Sequence, residues 1–337
     1  MKNILILSHG FPPDIGGIET IAEILAIEFA KKGYNVRVVT TTSAEHENKY
    51  PFTVIRNPGM IQLLQCHAWA DVIFENNPCL RLSLPALLFL KTTTVVLHTW
   101  IARTTGNMAF IDRFKKLKLR TSKTVIAVSH AIKDGSYPKA KVIPNPYKSD
   151  LFVNLNKGDR EKSFVFMGRL VSDKGANMAI KAIARLKAEK IGSYHLTIIG
   201  DGPEKDNLVK LTMALGLNNL VTFKGSLTGT ELVQELCKHR YMLVPSRWRE
   251  PFGIVVLEGI ACGCIPLVSS GGGLIEAVGD AGLVFDRNNL DDLVEKIKYL
   301  LADPDNERQL ITAGEKHIKN YHPDIIADRY LQELSKV

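Results

Sequence analysis

The chain has 337 residues, 45% of them apolar and 23% charged, which is enough for two ordinary domains and is the composition of a globular protein rather than a disordered or fibrous one. No run of about 18 apolar residues marks a membrane span, and the four apolar residues Ile4 to Leu7 are too few for the core of a signal peptide. The net charge of +8 is uneven: residues 1–150 carry 19 Lys and Arg against 11 Asp and Glu, and residues 151–337 carry 24 of each.

Short β-branched runs alternate with helical periods, the pattern of a parallel α/β protein. Ile4–Leu7 reads as a strand, followed by a helix over Ile18–Lys32 and strands at Val36–Thr40, Val54–Ile55, Val72–Phe74, Thr94–Leu97 and Val125–Val128. Before the last of these lies Phe110–Arg120. Phe110, Ile111, Phe114, Leu117 and Leu119 fall on an apolar side, with Arg113, Lys115, Lys116, Lys118 and Arg120 around it. That pattern suits an anionic membrane surface; an amphipathic helix docked on a sheet gives it too. Nucleic acid is set aside, because the basic stretch is short and no binding module accompanies it.

Two prolines in Lys141-Val-Ile-Pro-Asn-Pro-Tyr147 break the rhythm, and the polar stretch after them places a domain boundary near residue 150. The rhythm then restarts. Strands are read at Phe164–Met167, His195–Ile199, Leu220–Phe223, Tyr241–Val244 and Ile265–Val268, with helices near 175–190, 204–215, 229–239 and 254–262. A helical tail runs from Leu290, interrupted at Pro304 and Pro323. Two doubly wound sheets in tandem, 1–150 and 151–320, imply a cleft, with ligands beyond the carboxyl ends of the strands. The five cysteines show no paired metal spacing, and reduced thiols in a cytoplasmic protein are the expectation.

The most informative stretch is Arg249-Glu-Pro-Phe-Gly-Ile-Val-Val-Leu-Glu-Gly259. Pro251 and Gly253 favour a helix starting near Ile254, so Glu250 lies in the loop before it and Glu258 more than a turn inside it. Glycosidase carboxylates sit about 5 to 9.5 Å apart across one bond, whereas eight helical residues span about 12 Å. The pair therefore fits two parts of one extended ligand better than a hydrolytic couple. The free N–H groups of Gly253, Ile254 and Val255 would suit a diphosphate between them. A solvated helix edge remains the plainer alternative for the motif alone.

Other strand ends add to it. Gly168-Arg169-Leu170 and Lys174-Gly175 bring two cations to one strand end, enough to neutralise a leaving diphosphate without a metal. Gly16-Gly17 permits close backbone approach between strand and helix, as would any simple turn. His98 closes a strand in Val-Val-Leu-His-Thr-Trp100, facing either a cleft or the core. Gly200-Asp-Gly-Pro203 and Gly271-Gly-Gly273 with Glu276 read as further rim loops.

Taken together, Gly16-Gly17, His98, Gly168-Arg169-Leu170 with Lys174-Gly175, Gly200-Asp-Gly-Pro203, Pro245-Ser246 and Glu250-Pro-Phe-Gly…Glu258 resemble the retaining family 4 glycosyltransferases of the GT-B fold. The resemblance covers essentially the whole chain and is densest over residues 164–280. It implies two Rossmann-like domains facing a central cleft, with residues 321–337 as a helix crossing back to the first. It implies that Arg169 and Lys174 hold the diphosphate of a UDP- or GDP-sugar, with Gly16 and Gly17 closing over it. Glu258 would bond the ribose and Leu227 would meet the base through its backbone. Glu250 and His98 would contact the sugar and the transition state. It further implies retention of configuration, no metal or other cofactor, and a glycan or lipid-linked acceptor. Peripheral membrane contact would run through residues 110–120, at the cytoplasmic face.

Residues 45–95 are short for such a family, which loosens the acceptor assignment, and Arg247 and Arg249 crowd Glu250 with charge that would suit an acidic sugar or a phosphate. Two other classes compete with this reading. A nicotinamide-dependent dehydrogenase needs GxGxxG and an acidic residue about 20 positions on, and neither half has them. A catalytically idle nucleotide-sugar binder or membrane scaffold would lack a reason to keep Arg169, Lys174, Glu250, Glu258 and His98 together.

Overall fold

The computed structural model describes residues 2–44, 49–89, 91–101, 110–156, 158 and 160–335; the side chains of Leu87, Phe110 and Ile111 also lie outside the description. The chain divides into two compact units, Met1–Tyr147 with Tyr321–Val337, and Lys148–Asn320.

The first unit is built on β1 (Asn3–Ser8), β2 (Asn35–Thr40), β3 (Thr53–Arg56), β4 (Val72–Asn76), β5 (Thr93–Leu97), β6 (Thr124–Ala127) and β7 (Lys141–Val142). They form a sheet of order β3-β2-β1-β4-β5-β6-β7, parallel at each pairing. Ile4 to Leu7 are fully buried, as a central parallel strand covered on both faces requires. The helix Gly17–Lys31 buries Ile21, Ala22, Ile24, Leu25, Ala26 and Phe29. The terminal helix Pro323–Ser335 buries Ile326, Ala327, Tyr330, Leu331 and Leu334 and packs in this same unit. There Phe74 meets Phe29 and Tyr330 edge-on, with ring centroids 5.9 and 5.6 Å apart. The two-residue strand β7 falls within the stretch read from sequence as a break. Pro144 and Pro146 follow it and remove ladder donors, which confines it to an edge.

The second unit contains β8 (Phe164–Met167), β9 (Leu196–Ile199), β10 (Val221–Gly225), β11 (Tyr241–Val244), β12 (Ile265–Ser269) and β13 (Leu283–Phe285), ordered β10-β9-β8-β11-β12-β13 and again parallel. Strand β13, absent from the sequence reading, is a short edge segment after Gly282. Both units are doubly wound sheets of the Rossmann type. Their strand orders reverse between β1 and β4 and between β8 and β11, and such reversals are where ligands of these sheets bind.

Arg160, from the polar boundary stretch, is 8% exposed. Its guanidinium donates to Cys262 O at 2.6 Å, Asn156 O at 3.0 Å and His239 O at 3.1 Å. Two of these carbonyls lie just past the helices Gly229–Leu236 and Ile254–Ala261, where a cation also opposes the helix dipole. Arg160 thereby anchors the carboxyl end of the helix whose amino end carries Gly253. All five cysteines are free thiols and buried.

Candidate active site

In the second unit, Arg169, Lys174 and Glu250 follow the carboxyl ends of β8 and β11, where the strand order reverses. The chain leaves β8 through Gly168 and Arg169, makes a 3-10 turn over Ser172–Lys174, and enters a helix at Gly175 with φ 72°. A Cβ at Gly175 would lie 2.0 Å from the Pro245 carbonyl oxygen. Only glycine lets this turn press against the end of β11, and that contact carries Lys174 to Glu250. The Asp173 carbonyl holds the facing loop, accepting from Arg247 N at 2.7 Å and Trp248 N at 3.4 Å.

Glu250 is fixed from two sides. Its Oε1 accepts from Lys174 Nζ at 2.5 Å and from Ser246 Oγ at 2.8 Å. Its backbone pairs with Gly272 as an isolated bridge, and its carbonyl accepts from Gly273 N at 2.7 Å. A Cβ at Gly272, whose φ is 69°, would lie 2.2 Å from that carbonyl. The Gly271-Gly-Gly273 loop thus backs the glutamate rather than forming a rim of its own. In the same way Gly200 and Gly202 press on the carbonyls of Gly168 and Leu170, and Leu170 N donates to Asp201 O at 2.8 Å. That loop braces the Gly168–Leu170 turn.

Arg169 is exposed, and among the described residues no carboxylate pairs with it. Gly253, with φ 114°, caps the helix Ile254–Ala261 without a side-chain partner. The first bond of the turn is Val256 N to Gly253 O at 3.0 Å, so the N–H groups of Gly253, Ile254 and Val255 precede the helical ladder. Glu258 sits on the same helix, and burial raises its carboxyl to about 7 against the opposing charge of Lys148. Leu227 is half-buried between Gly225 at the end of β10 and the helix Gly229–Leu236. Arg249 and Arg287 both approach Gly271, where a Cβ would lie 3.2 Å from Arg287 Nη1.

In the first unit, Gly16 precedes the helix Gly17–Lys31 in extended conformation. The Glu19 carboxylate lies over it, and Cβ atoms at Gly16 and Gly10 would meet its oxygens at 2.2 and 2.3 Å. An anion over Gly16 and Gly17 would therefore displace this flexible side chain. His98 follows β5 and is 4% exposed. Its Nε2 lies 2.8 Å from Asn76 Oδ1, and burial alone lowers the imidazole to about 3. The ring is neutral.

Residues 148–317 match the family model of the glycosyl transferases group 1. The chain belongs to this family. As a whole this group 1 glycosyltransferase is 32% identical, over 92% of its own length and 92% of the relative's, to a GDP-mannose-dependent alpha-(1-6)-phosphatidylinositol monomannoside mannosyltransferase of Mycolicibacterium smegmatis. A second relative, from Corynebacterium glutamicum, is a GDP-mannose-dependent monoacylated alpha-(1-6)-phosphatidylinositol monomannoside mannosyltransferase, 26% identical over 94% of this chain and 93% of that one. Among solved structures, Anabaena Alr3699/HepE in complex with UDP and glucose has a TM-score of 0.82 at 20% identity, covering all of both chains. That likeness establishes the GT-B fold.

Two parts of this glycosyltransferase depart from the sequence reading. On the helix Phe110–Thr121, Lys118 does not join a solvated basic face. It is 11% exposed, and its Nζ lies 2.8 Å from Oε1 of the fully buried Glu75. Leu119 is buried, while Phe114 and Leu117 are exposed; Phe110 and Ile111, assigned to the same apolar side, fall outside the described side chains. The reason is phase: the face that meets the unit runs through Asp112, Lys118 and Leu119, so the aromatic and leucine between them turn outward. The second departure is an omission: Asn76, not singled out from the sequence, bonds His98, and the only signal for it is an asparagine pair shortly after the strand Val72–Phe74.

Proposed function

We propose that this enzyme transfers a hexose from a UDP- or GDP-linked donor to a lipid-linked or polysaccharide acceptor, retaining the anomeric configuration and using no metal. The observation that carries the reading is the cluster at the β8/β11 reversal. Lys174 meets Glu250 at 2.5 Å, Arg169 is exposed just past the end of β8, and three N–H groups open the helix Ile254–Ala261. Two cations and a helix amino end stabilise a leaving diphosphate by fixed charge and dipoles. The anion draws Lys174 toward itself, and the Glu250 carboxylate is then available to the sugar hydroxyls. Glu258 serves the ribose and Leu227 the base. The bond from the anomeric carbon to the phosphate oxygen breaks as the acceptor oxygen bonds to the same face, and the departing phosphate takes the acceptor's proton.

The named relatives act on phosphatidylinositol mannosides, which supports a lipid-linked acceptor. Exposed Phe114 and Leu117 with exposed Arg113 and Arg120 suit an anionic bilayer, which supports peripheral contact with the cytoplasmic face of a membrane. No helix among the described residues is long and apolar enough to cross one.

A screen of UDP- and GDP-sugars with and without membrane lipid extract, reading released nucleoside diphosphate, tests the transfer. Turnover with at least one pair, abolished in Glu250→Ala, is the expected result; silence with every pair would sink the reading. For the membrane, flotation with phosphatidylglycerol vesicles should recover the wild type and lose the Phe114→Asp, Leu117→Asp double variant.

A further inference from the structure

We propose that Asn76 is a positioning residue that holds His98 as the neutral, Nε2-protonated tautomer, so that His98 meets its substrate as a hydrogen-bond acceptor through Nδ1. The last clause rests on the reading of His98 as a substrate contact; the first does not.

Ser8 at the end of β1 donates its hydroxyl hydrogen to Gly10 O at 2.6 Å, which leaves its oxygen to accept. Asn76, fully buried at the end of β4, places Nδ2 3.1 Å from that oxygen and 3.0 Å from Ile18 O. A backbone carbonyl only accepts, so the amide nitrogen must face Ile18 and the amide oxygen must face His98. At 2.8 Å from His98 Nε2, that oxygen in turn can only accept, and Nε2 must carry a proton. Burial keeps a second proton off the ring, so Nδ1 retains its lone pair. Among the described residues no group bonds Nδ1.

The neighbouring asparagine completes the clamp. Asn77 adopts φ 78°, a left-handed conformation that asparagine tolerates better than most residues. In that pose its Oδ1 accepts from His98 N at 3.3 Å, while its own N–H donates to Val96 O at 3.1 Å. One amide thus sets the ring and the next sets the backbone. Because Ile18 lies in the first turn of the helix Gly17–Lys31, Asn76 also ties His98 to the helix start that carries Gly16 and Gly17. Identical strand-end geometry with an aspartate at 76 would present a carboxylate to Nε2 and favour the charged imidazolium, which donates from both nitrogens.

Two-bond proton–nitrogen correlation spectra of the 15N-labelled full chain read the tautomer directly, with the His98 ring assigned by its disappearance in His98→Gln. In the wild type, Nε2 should show the shift of a protonated nitrogen and Nδ1 that of a bare one, unchanged between pH 5 and 8. In Asn76→Asp the ring should titrate within that window. Asn76→Ala should lower kcat about tenfold, the fold-change of one hydrogen bond, while KM for the donor stays within about twofold. A wild-type ring protonated at Nδ1, or an Asn76→Asp ring that does not titrate, overturns the proposal whatever the kinetics. A ring with the expected tautomer in an enzyme whose His98→Gln variant keeps full turnover would instead refute the substrate-contact reading and leave the positioning role intact.

Discussion

At the carboxyl ends of β1, β4 and β5, the first unit joins Ser8, Asn76 and His98, all buried and all neutral, in a chain of hydrogen bonds from Gly10 to His98. At the carboxyl ends of β8 and β11, the second unit presents Arg169, Lys174 and Glu250, all charged and all at least partly exposed. A neutral network is inexpensive to bury once every member is bonded, and it stays fixed. Charges buried as tightly would need their partners permanently. Left half-exposed, Lys174 can exchange Glu250 for an incoming phosphate at little cost. The difference teaches how each cluster answers a change of partner: the bonded neutral network keeps its geometry, and the half-exposed charges can rearrange around an anion.

The largest expected effect follows from that division. Lys174→Ala removes the charge proposed to meet the leaving group and should lower turnover about 10²–10³-fold, the usual loss for one electrostatic donor. His98→Gln, which removes a neutral contact, should cost about tenfold. Steady-state release of nucleoside diphosphate measures both, and equal losses would break the comparison. Next in size is Gly175→Ala. Its Cβ would meet the Pro245 carbonyl at 2.0 Å in a backbone with φ 72°, and relief requires the 172–175 turn to move. Destabilisation of about 2–4 kcal/mol is expected, with nucleoside diphosphate binding lost even in material that folds. Ser8→Ala, which leaves Asn76 its Ile18 bond, should cost only about 1 kcal/mol by thermal or urea unfolding.

The same contrast explains what could be read in advance. The parallel sheets were legible because buried strands such as Ile4–Leu7 and Tyr241–Val244 are continuous apolar runs, and the charged cluster could be suspected because Arg169, Lys174 and Glu250 follow strand ends beside glycines, with Glu258 on the next helix. The short edges β7 and β13 have too few residues for any period to register. Glycine contacts were legible only as flexibility: nothing local says that Gly175 faces Pro245 or that Gly272 faces Glu250, since these are meetings of distant segments. Asn76 was hidden for a related reason. An uncharged amide announces no chemistry, and its partners Ser8, Ile18 and His98 lie 68, 58 and 22 positions away. The burial of Leu119 and Lys118 beside exposed Phe114 and Leu117 was not legible, because helical periodicity gives an apolar stripe without saying which part of it meets the protein.

A pH effect is also expected, and it should belong to the second unit alone. Burial raises Glu258 from an ordinary value of 4.5 to about 7. The folded protein thus holds this proton where the unfolded chain has lost it. Stability from this group is therefore greatest below about 4.5, falls as pH rises toward 7, and changes little beyond. Ribose hydroxyls donate best to an ionised carboxylate, so ligand binding should favour the deprotonated form and expel the proton. Affinity for a nucleoside diphosphate should then rise with pH by up to about tenfold per unit below 7 and level above it. The phosphates titrate in the same range, which makes Glu258→Gln the necessary reference: their contribution survives in that variant and the carboxyl's does not. Calorimetry in two buffers of different ionisation enthalpy should show proton release at pH 6 in the wild type exceeding that of the variant. His98, held neutral with its value near 3, adds no slope between pH 5 and 8. An identical pH profile in wild type and Glu258→Gln would mean that the ribose does not meet this carboxylate, and that the second unit holds its ligand by the diphosphate alone.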